Sequence, residues 1–146
     1  MSIKNFEEKS NYFVKQYGMQ KDSITNKNGS LTLSEHIPDN GGLKIAHRAY
    51  MKYLQSNDGK DLVVPGFEDI TNEQLFFISF GRIFCEHITK EKLEELIKTD
   101  EHALGETRTK VALSNYKPFS DAFKCKLNSK MNPENRCELW ENQKQH

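Results

Sequence analysis

Ser30-Leu31-Thr32-Leu33-Ser34-Glu35-His36-Ile37-Pro38-Asp39-Asn40-Gly41-Gly42-Leu43 is the stretch on which the rest of the chain hangs. If it is helical from Glu35 onward, Glu35 and Asp39 stand at i and i+4, and both carboxylates project from one face with Cβ atoms about 5–6 Å apart. Two acids stacked that way repel, so the pair asks for a metal, a histidine, an arginine or open water beside it. Leu43, Ala46, Ala49, Tyr50, Tyr53 and Leu54 continue the i, i+3, i+4, i+7 template and predict an amphipathic helix over residues 37–55. Pro38 costs about 3 kcal/mol inside a helix and little in its first turn. Two alternatives follow: the helix starts near Ile37 with Glu35 on the entry turn, or the acid pair is displaced from the geometry that a zinc ion needs. Gly41 and Gly42 each cost roughly 1 kcal/mol against alanine in a helix, which suggests that something packs close to that backbone.

Working outward, Phe6, Phe13 and Tyr17 sit near a helical spacing, and Gly18 is a plausible stop, so residues 5–17 are predicted helical. Residues 26–30 form a turn cluster that contains the sequon Asn28-Gly29-Ser30. Thr71 and Gln74 have the spacing of a capping box that opens a helix through Leu75, Phe76, Ile78, Phe80, Ile83 and Phe84. Aromatic on more than one face, that helix is expected to be the most buried element and to want a covering partner. A short charged helix over 90–98, an extended piece over 111–115 and a helix over 118–125 carrying Phe119, Ala122 and Phe123 inward complete the reading.

The chain has 146 residues, the size of one domain, with 36% hydrophobic residues, a polar composition that suits a piece whose apolar faces are completed by another segment. Lys+Arg 21 against Asp+Glu 21 leaves no net charge, and no basic stripe suggests nucleic acid as a partner. The apolar run from Leu75 is broken by Arg82 and falls short of the roughly 20 residues that a membrane span needs. The amino terminus lacks the apolar core of a signal peptide. Cys85, Cys125 and Cys137 match neither a zinc ribbon nor a Cys-x-x-Cys motif, and composition alone favours three reduced thiols.

Five segments in order resemble the neprilysin-like zinc metallopeptidases. They are Leu31-Thr32-Leu33 through Leu43 followed by Ala46 and Ala49-Tyr50; Val14-x-Gln16-Tyr17-Gly18; Gln74-Leu75-Phe76-Phe77-x-x-Phe80 with Cys85; Thr99-Asp100-x-His102 with Gly105 and Arg108; and Met131-Asn132-Pro133 with Cys137 and Trp140. The resemblance runs from about Phe6 to Trp140. It implies a mainly α fold: the helical carboxy-terminal portion of a gluzincin-like catalytic domain over residues 1–140, with short extended segments and long loops, then a polar tail over 141–146. It also implies a zinc-dependent endopeptidase acting on peptides. Glu35 would be a metal ligand, and Asp39 would hold a zinc-ligating histidine. His102 would donate to the oxyanion and be oriented by Asp100, while Arg108 would grip a substrate carbonyl. Such roles suit the chemistry: zinc accepts carboxylate oxygen, its histidines donate their other N–H to a carboxylate, and donors aimed at developing charge dominate acyl-transfer catalysis.

The resemblance further makes Cys85, Cys125 and Cys137 half-cystines whose partners lie nearer the amino terminus of an extracellular or membrane-anchored ectodomain. Departures are visible. Tyr12 stands where the family has the cysteine that pairs with the position of Cys137; Pro38 replaces a usual alanine; Ala103-Leu104 replaces Ser-Pro; Arg82 and Phe84 replace a glutamine and a tryptophan. The His-Glu-x-x-His motif that supplies two ligands and a base is absent: His36, His47, His87, His102 and His146 neither start nor end one. The expectation is therefore a fragment lacking two zinc-binding histidines, which pairs with an absent amino-terminal portion and is inactive alone. The alternative is a noncatalytic remnant that binds a peptide or a partner subunit.

Overall fold

The computed structural model describes residues 3–19, 32–59, 61 and 63–139. Among the described residues six helices follow in order: α1 (Ile3–Gly18), α2 (Leu33–Ser56), α3 (Asn72–Ile83), α4 (Lys90–Thr99), α5 (Gly105–Asn115) and α6 (Lys117–Ala122). Among the described residues extended pairing is limited to an isolated bridge between Ser129 and Asn132, so the mainly helical expectation stands. The turn cluster at 26–30 with its sequon, Trp140 and the tail over 141–146 lie outside the described residues.

The element at the centre is α5. Its Val111 packs with Phe13, Tyr17, Cys137 and Leu139 in one cluster, while Ala112 and Leu113 pack with Leu43 and Phe77 in the other. A helix buried on all sides has no polar face to set a period, and a short apolar run of that kind cannot be told from a buried strand. For that reason residues 111–115, expected to be extended, are instead the last turn and a half of a helix.

The helix α2 contradicts the first alternative offered for Pro38, a start near Ile37. It begins at Leu33, four residues earlier than Ile37, keeps Glu35 in its first turn and carries Pro38 inside. What anchors this early start is burial: His36 is 0% exposed, stacks on Tyr17 with ring centroids 3.4 Å apart, and meets the Thr32 hydroxyl. The side chain of Asn40 also donates to the His36 carbonyl at 2.8 Å. Asn40 further donates to Tyr17 at 3.0 Å, and Asn115 donates to Asn40 at 3.0 Å and to Gln16 at 2.8 Å. Amide groups thus tie α1, α2 and α5 together at the proline. Close packing at Gly42 is not found, since a Cβ built there meets nothing within 4 Å.

The capping box of α3 forms as read: the Gln74 N–H donates to the Thr71 hydroxyl and the Thr71 N–H to the Gln74 carbonyl of its amide. Yet α3 is not the most buried element. Only Phe77 is fully enclosed, and Ile78 and Ile83 are 40% and 76% exposed. Phe123, expected inward, follows the end of α6 and is 37% exposed. The charged helix α4 buries none of its residues and carries a Lys92–Glu95 pair on its surface.

One buried group was missed in the sequence. His47 is 4% exposed, with Nε2 3.0 Å from Glu73 on α3, Nδ1 2.9 Å from the Tyr116 hydroxyl, and its ring stacked on Phe77 at 4.8 Å. Burial lowers its pKa below the ordinary 6.5, against an opposing pull from Glu73. Below about pH 6.5 the unfolded chain therefore takes up this proton first, and stability falls until the native group is also protonated. The urea midpoint of the wild type is expected to drop between about pH 7.5 and about pH 5.5 more than that of His47→Phe. Equal drops in the two proteins would contradict this.

Candidate active site

Three parts of the chain converge on one cluster. The first two turns of α2 supply Glu35 and Asp39, the loop between α4 and α5 supplies Asp100 and His102, and the first turn of α5 supplies Arg108. Arg108 grips Asp39 with two parallel bonds: Nε to Oδ2 and Nη2 to Oδ1, both 2.7 Å. Glu35 lies against the same group, its Oε2 3.8 Å from Arg108 Nη2 and 3.2 Å from His102 Nε2. Asp100 accepts from the His102 backbone N–H at 2.8 Å and meets ring Nδ1 at 2.9 Å. The acid pair on α2 is thus compensated by a histidine and an arginine, two of the four neighbours its repulsion asks for.

Burial differs across the cluster, and that fixes what each group can do. The Asp39 and Arg108 side chains are 9% and 19% exposed, whereas Glu35 and His102 are 33% and 47% exposed. Asp39 holds the guanidinium firmly in its charged form, the hydrogen bond being the main cause. Two of the five guanidinium N–H donors are spent on Asp39, which leaves others to meet a carbonyl. Each Asp39 oxygen likewise keeps a lone pair for a further donor. The open side holds Glu35 and His102, where an incoming group can reach them.

Sequence reasoning missed the residues that hold this cluster in place. Arg108 lies over the Phe84 ring, 4.8 Å from its centroid. Glu86 accepts from the Gly105 N–H at 2.8 Å, satisfying one of the orphan donors at the start of α5. Glu86 is 19 residues away from Gly105, so no local spacing announces the contact. A Cβ at Gly105 would fall on the Phe84 carbonyl oxygen and within 3.0 Å of Glu86 Oε1. Backbone cannot yield there, so Gly105→Ala should lower stability by about 1–3 kcal/mol in urea unfolding. An unchanged midpoint would show that α5 can shift freely.

A cleft of about 330 Å³ adjoins the cluster, with Phe84, Glu86, Leu96, Asp100, His102 and Arg108 in its wall. A larger cavity of about 710 Å³ lies along another face of α2 and includes none of Glu35, Asp39, His102 or Arg108. Chemistry rather than size selects the smaller one: there the charged and donor groups converge. Among the described residues no three His, Cys, Asp or Glu side chains are grouped to hold a metal ion. Glu35 fits one position of a mixed nitrogen and oxygen set and no more.

The three cysteines are unpaired with one another, Cys85 exposed, Cys125 half-buried and Cys137 buried. Burial pushes the Cys137 thiol up to about 12, which keeps it protonated and unreactive. No helix among the described residues is long and apolar enough to cross a membrane.

Known proteins resemble this chain in sequence, and one resembles it in structure. Neprilysin of Homo sapiens is 42% identical over 142 residues, covering 95% of this chain and 19% of that protein. Neprilysin-1 of Caenorhabditis elegans is 40% identical over 137 residues, 92% of this chain and 18% of that protein. Endothelin-converting enzyme 1 of Rattus norvegicus is 39% identical over 139 residues, 95% of this chain and 18% of that protein. The solved Haemonchus galactose containing glycoprotein complex superposes with a TM-score of 0.88 at 31% identity, over 94% of this chain and 23% of that one. This chain therefore spans about a fifth of the length of the relatives it matches. The model of peptidase family M13 matches residues 1–139, and the chain belongs to that family.

Proposed function

We propose that this chain is the carboxy-terminal portion of a zinc metalloendopeptidase that hydrolyses peptide bonds in oligopeptides, and that it is inactive by itself. The observation that supports the reading is the convergence of Glu35, Asp39, Asp100, His102 and Arg108 from α2, the 100–104 loop and α5. Zinc, when bound, polarises the scissile carbonyl and the attacking water. Glu35 supplies one carboxylate ligand, and two histidines come from a His-Glu-x-x-His segment outside the chain. Asp39 orients one of those histidines with the lone pairs that Arg108 leaves open.

His102, held by Asp100, donates to the oxygen that gains charge as the carbonyl becomes tetrahedral. Arg108, fixed by Asp39 and Phe84, presents its remaining N–H groups to a substrate backbone carbonyl. In the assembled enzyme Cys85 and Cys125 pair with half-cystines of the amino-terminal portion, and the whole works outside the cell. Tyr12 stands at the position where the family has the cysteine that pairs with that of Cys137, so Cys137 stays reduced.

Reading the DNA upstream of Met1 tests this directly. An in-frame His-Glu-x-x-His within a short distance is expected. A promoter and no such motif would leave the noncatalytic peptide- or partner-binding reading in its place.

A further inference from the structure

The larger cavity, about 710 Å³, is a second site that the proposed chemistry does not use. Its apolar lining includes Phe13, Ile37, Met51 and Leu139. Lys44, Arg48 and Lys52, also in the lining, recur every fourth residue of α2 and so form one ridge. Lys117, at the start of α6, also lines the cavity.

Two of these cations have carboxylates beside them, Lys44 with Glu138 and Lys117 with Asp121. Arg48 and Lys52 lie exposed at the rim and give the cavity a local positive excess in a chain of zero net charge. A volume between about 300 and 1,000 Å³ is that of a binding cleft, and an apolar trough beside a basic helical ridge matches an amphipathic segment with acids along its edge.

The geometry points to this cleft as the seat of a polypeptide segment with an apolar face and an acidic flank, contributed by the part of the peptidase outside this chain. Charge complementarity at Arg48 and Lys52 selects the flank, and the chain's share of its relatives, 18% and 19%, provides the source. Identifying that source rests on the reading of the chain as a carboxy-terminal portion; the ligand chemistry does not.

The test is fluorescence anisotropy with a labelled amphipathic peptide of Leu and Glu at helical spacing, set against its Leu and Lys counterpart. The Leu/Glu peptide is expected to bind saturably and more weakly as salt rises, and the Leu/Lys peptide not to bind. Arg48→Glu with Lys52→Glu should weaken binding about tenfold, with an unchanged circular dichroism spectrum. Glu35→Gln should leave it unaltered.

Equal binding of both peptides, or indifference to the double substitution, would overturn the inference and leave the peptidase reading standing. Binding only after removal of residues 140–146 would overturn it as well, by making the chain's own end the occupant. Absence of an upstream His-Glu-x-x-His would instead remove the peptidase reading and leave the peptide result intact.

Discussion

Asp39→Ala is expected to cost about 3–5 kcal/mol, because it leaves the Arg108 guanidinium in a largely enclosed position with its two-pronged partner gone. Domains of this kind are stable by only about 5–15 kcal/mol, so the variant should unfold at a far lower urea concentration than the wild type. Arg108→Met should do comparable harm by stranding the Asp39 carboxylate, whose side chain is 9% exposed. The double variant should be destabilised by much less than the sum, since neither charge is left alone. A double-mutant cycle in urea measures that coupling. Additive losses would mean that the two groups are solvated separately.

The same pair explains why half of the candidate site was legible in the sequence and half was not. Glu35 and Asp39 are four residues apart on one helix, so their shared face follows from helical geometry alone. That they are compensated by His102 and Arg108 required long-range information, supplied in the sequence only by the resemblance of the segment from Thr99 to Arg108. Glu86, Phe84 and Gly105 interlock through backbone and ring contacts that leave no periodic trace.

At the level of the fold, the amphipathic elements and the Thr71 cap were readable because each has a solvent side. The buried turn of α5 was not, because Val111, Ala112, Leu113 and Ser114 are all enclosed. Pro38 misled for a related reason: its local cost is offset by the burial of His36 against Tyr17, which propensity does not register.

The second large effect concerns catalysis in a protein where this chain is joined to the segment bearing His-Glu-x-x-His. There Glu35→Gln should lower kcat/KM by more than about 100-fold, since loss of the proposed direct ligand exceeds the 10–100-fold typical of outer-shell changes. Added zinc should restore part of that loss if affinity is what suffers. His102→Ala should instead lower kcat by about 10²–10³-fold with zinc content unchanged, as expected for removal of a donor to the developing oxyanion. Loss of zinc in the His102 variant, or full activity in the Glu35 variant, would contradict the assignment of that residue.

The decisive measurement is cleavage of a fluorogenic peptide with zinc supplied, by this chain alone and by the same chain joined to that segment. No hydrolysis is expected from the chain alone, and hydrolysis abolished by a chelator is expected once the two are joined. Chelator-sensitive cleavage by the chain alone would contradict that expectation.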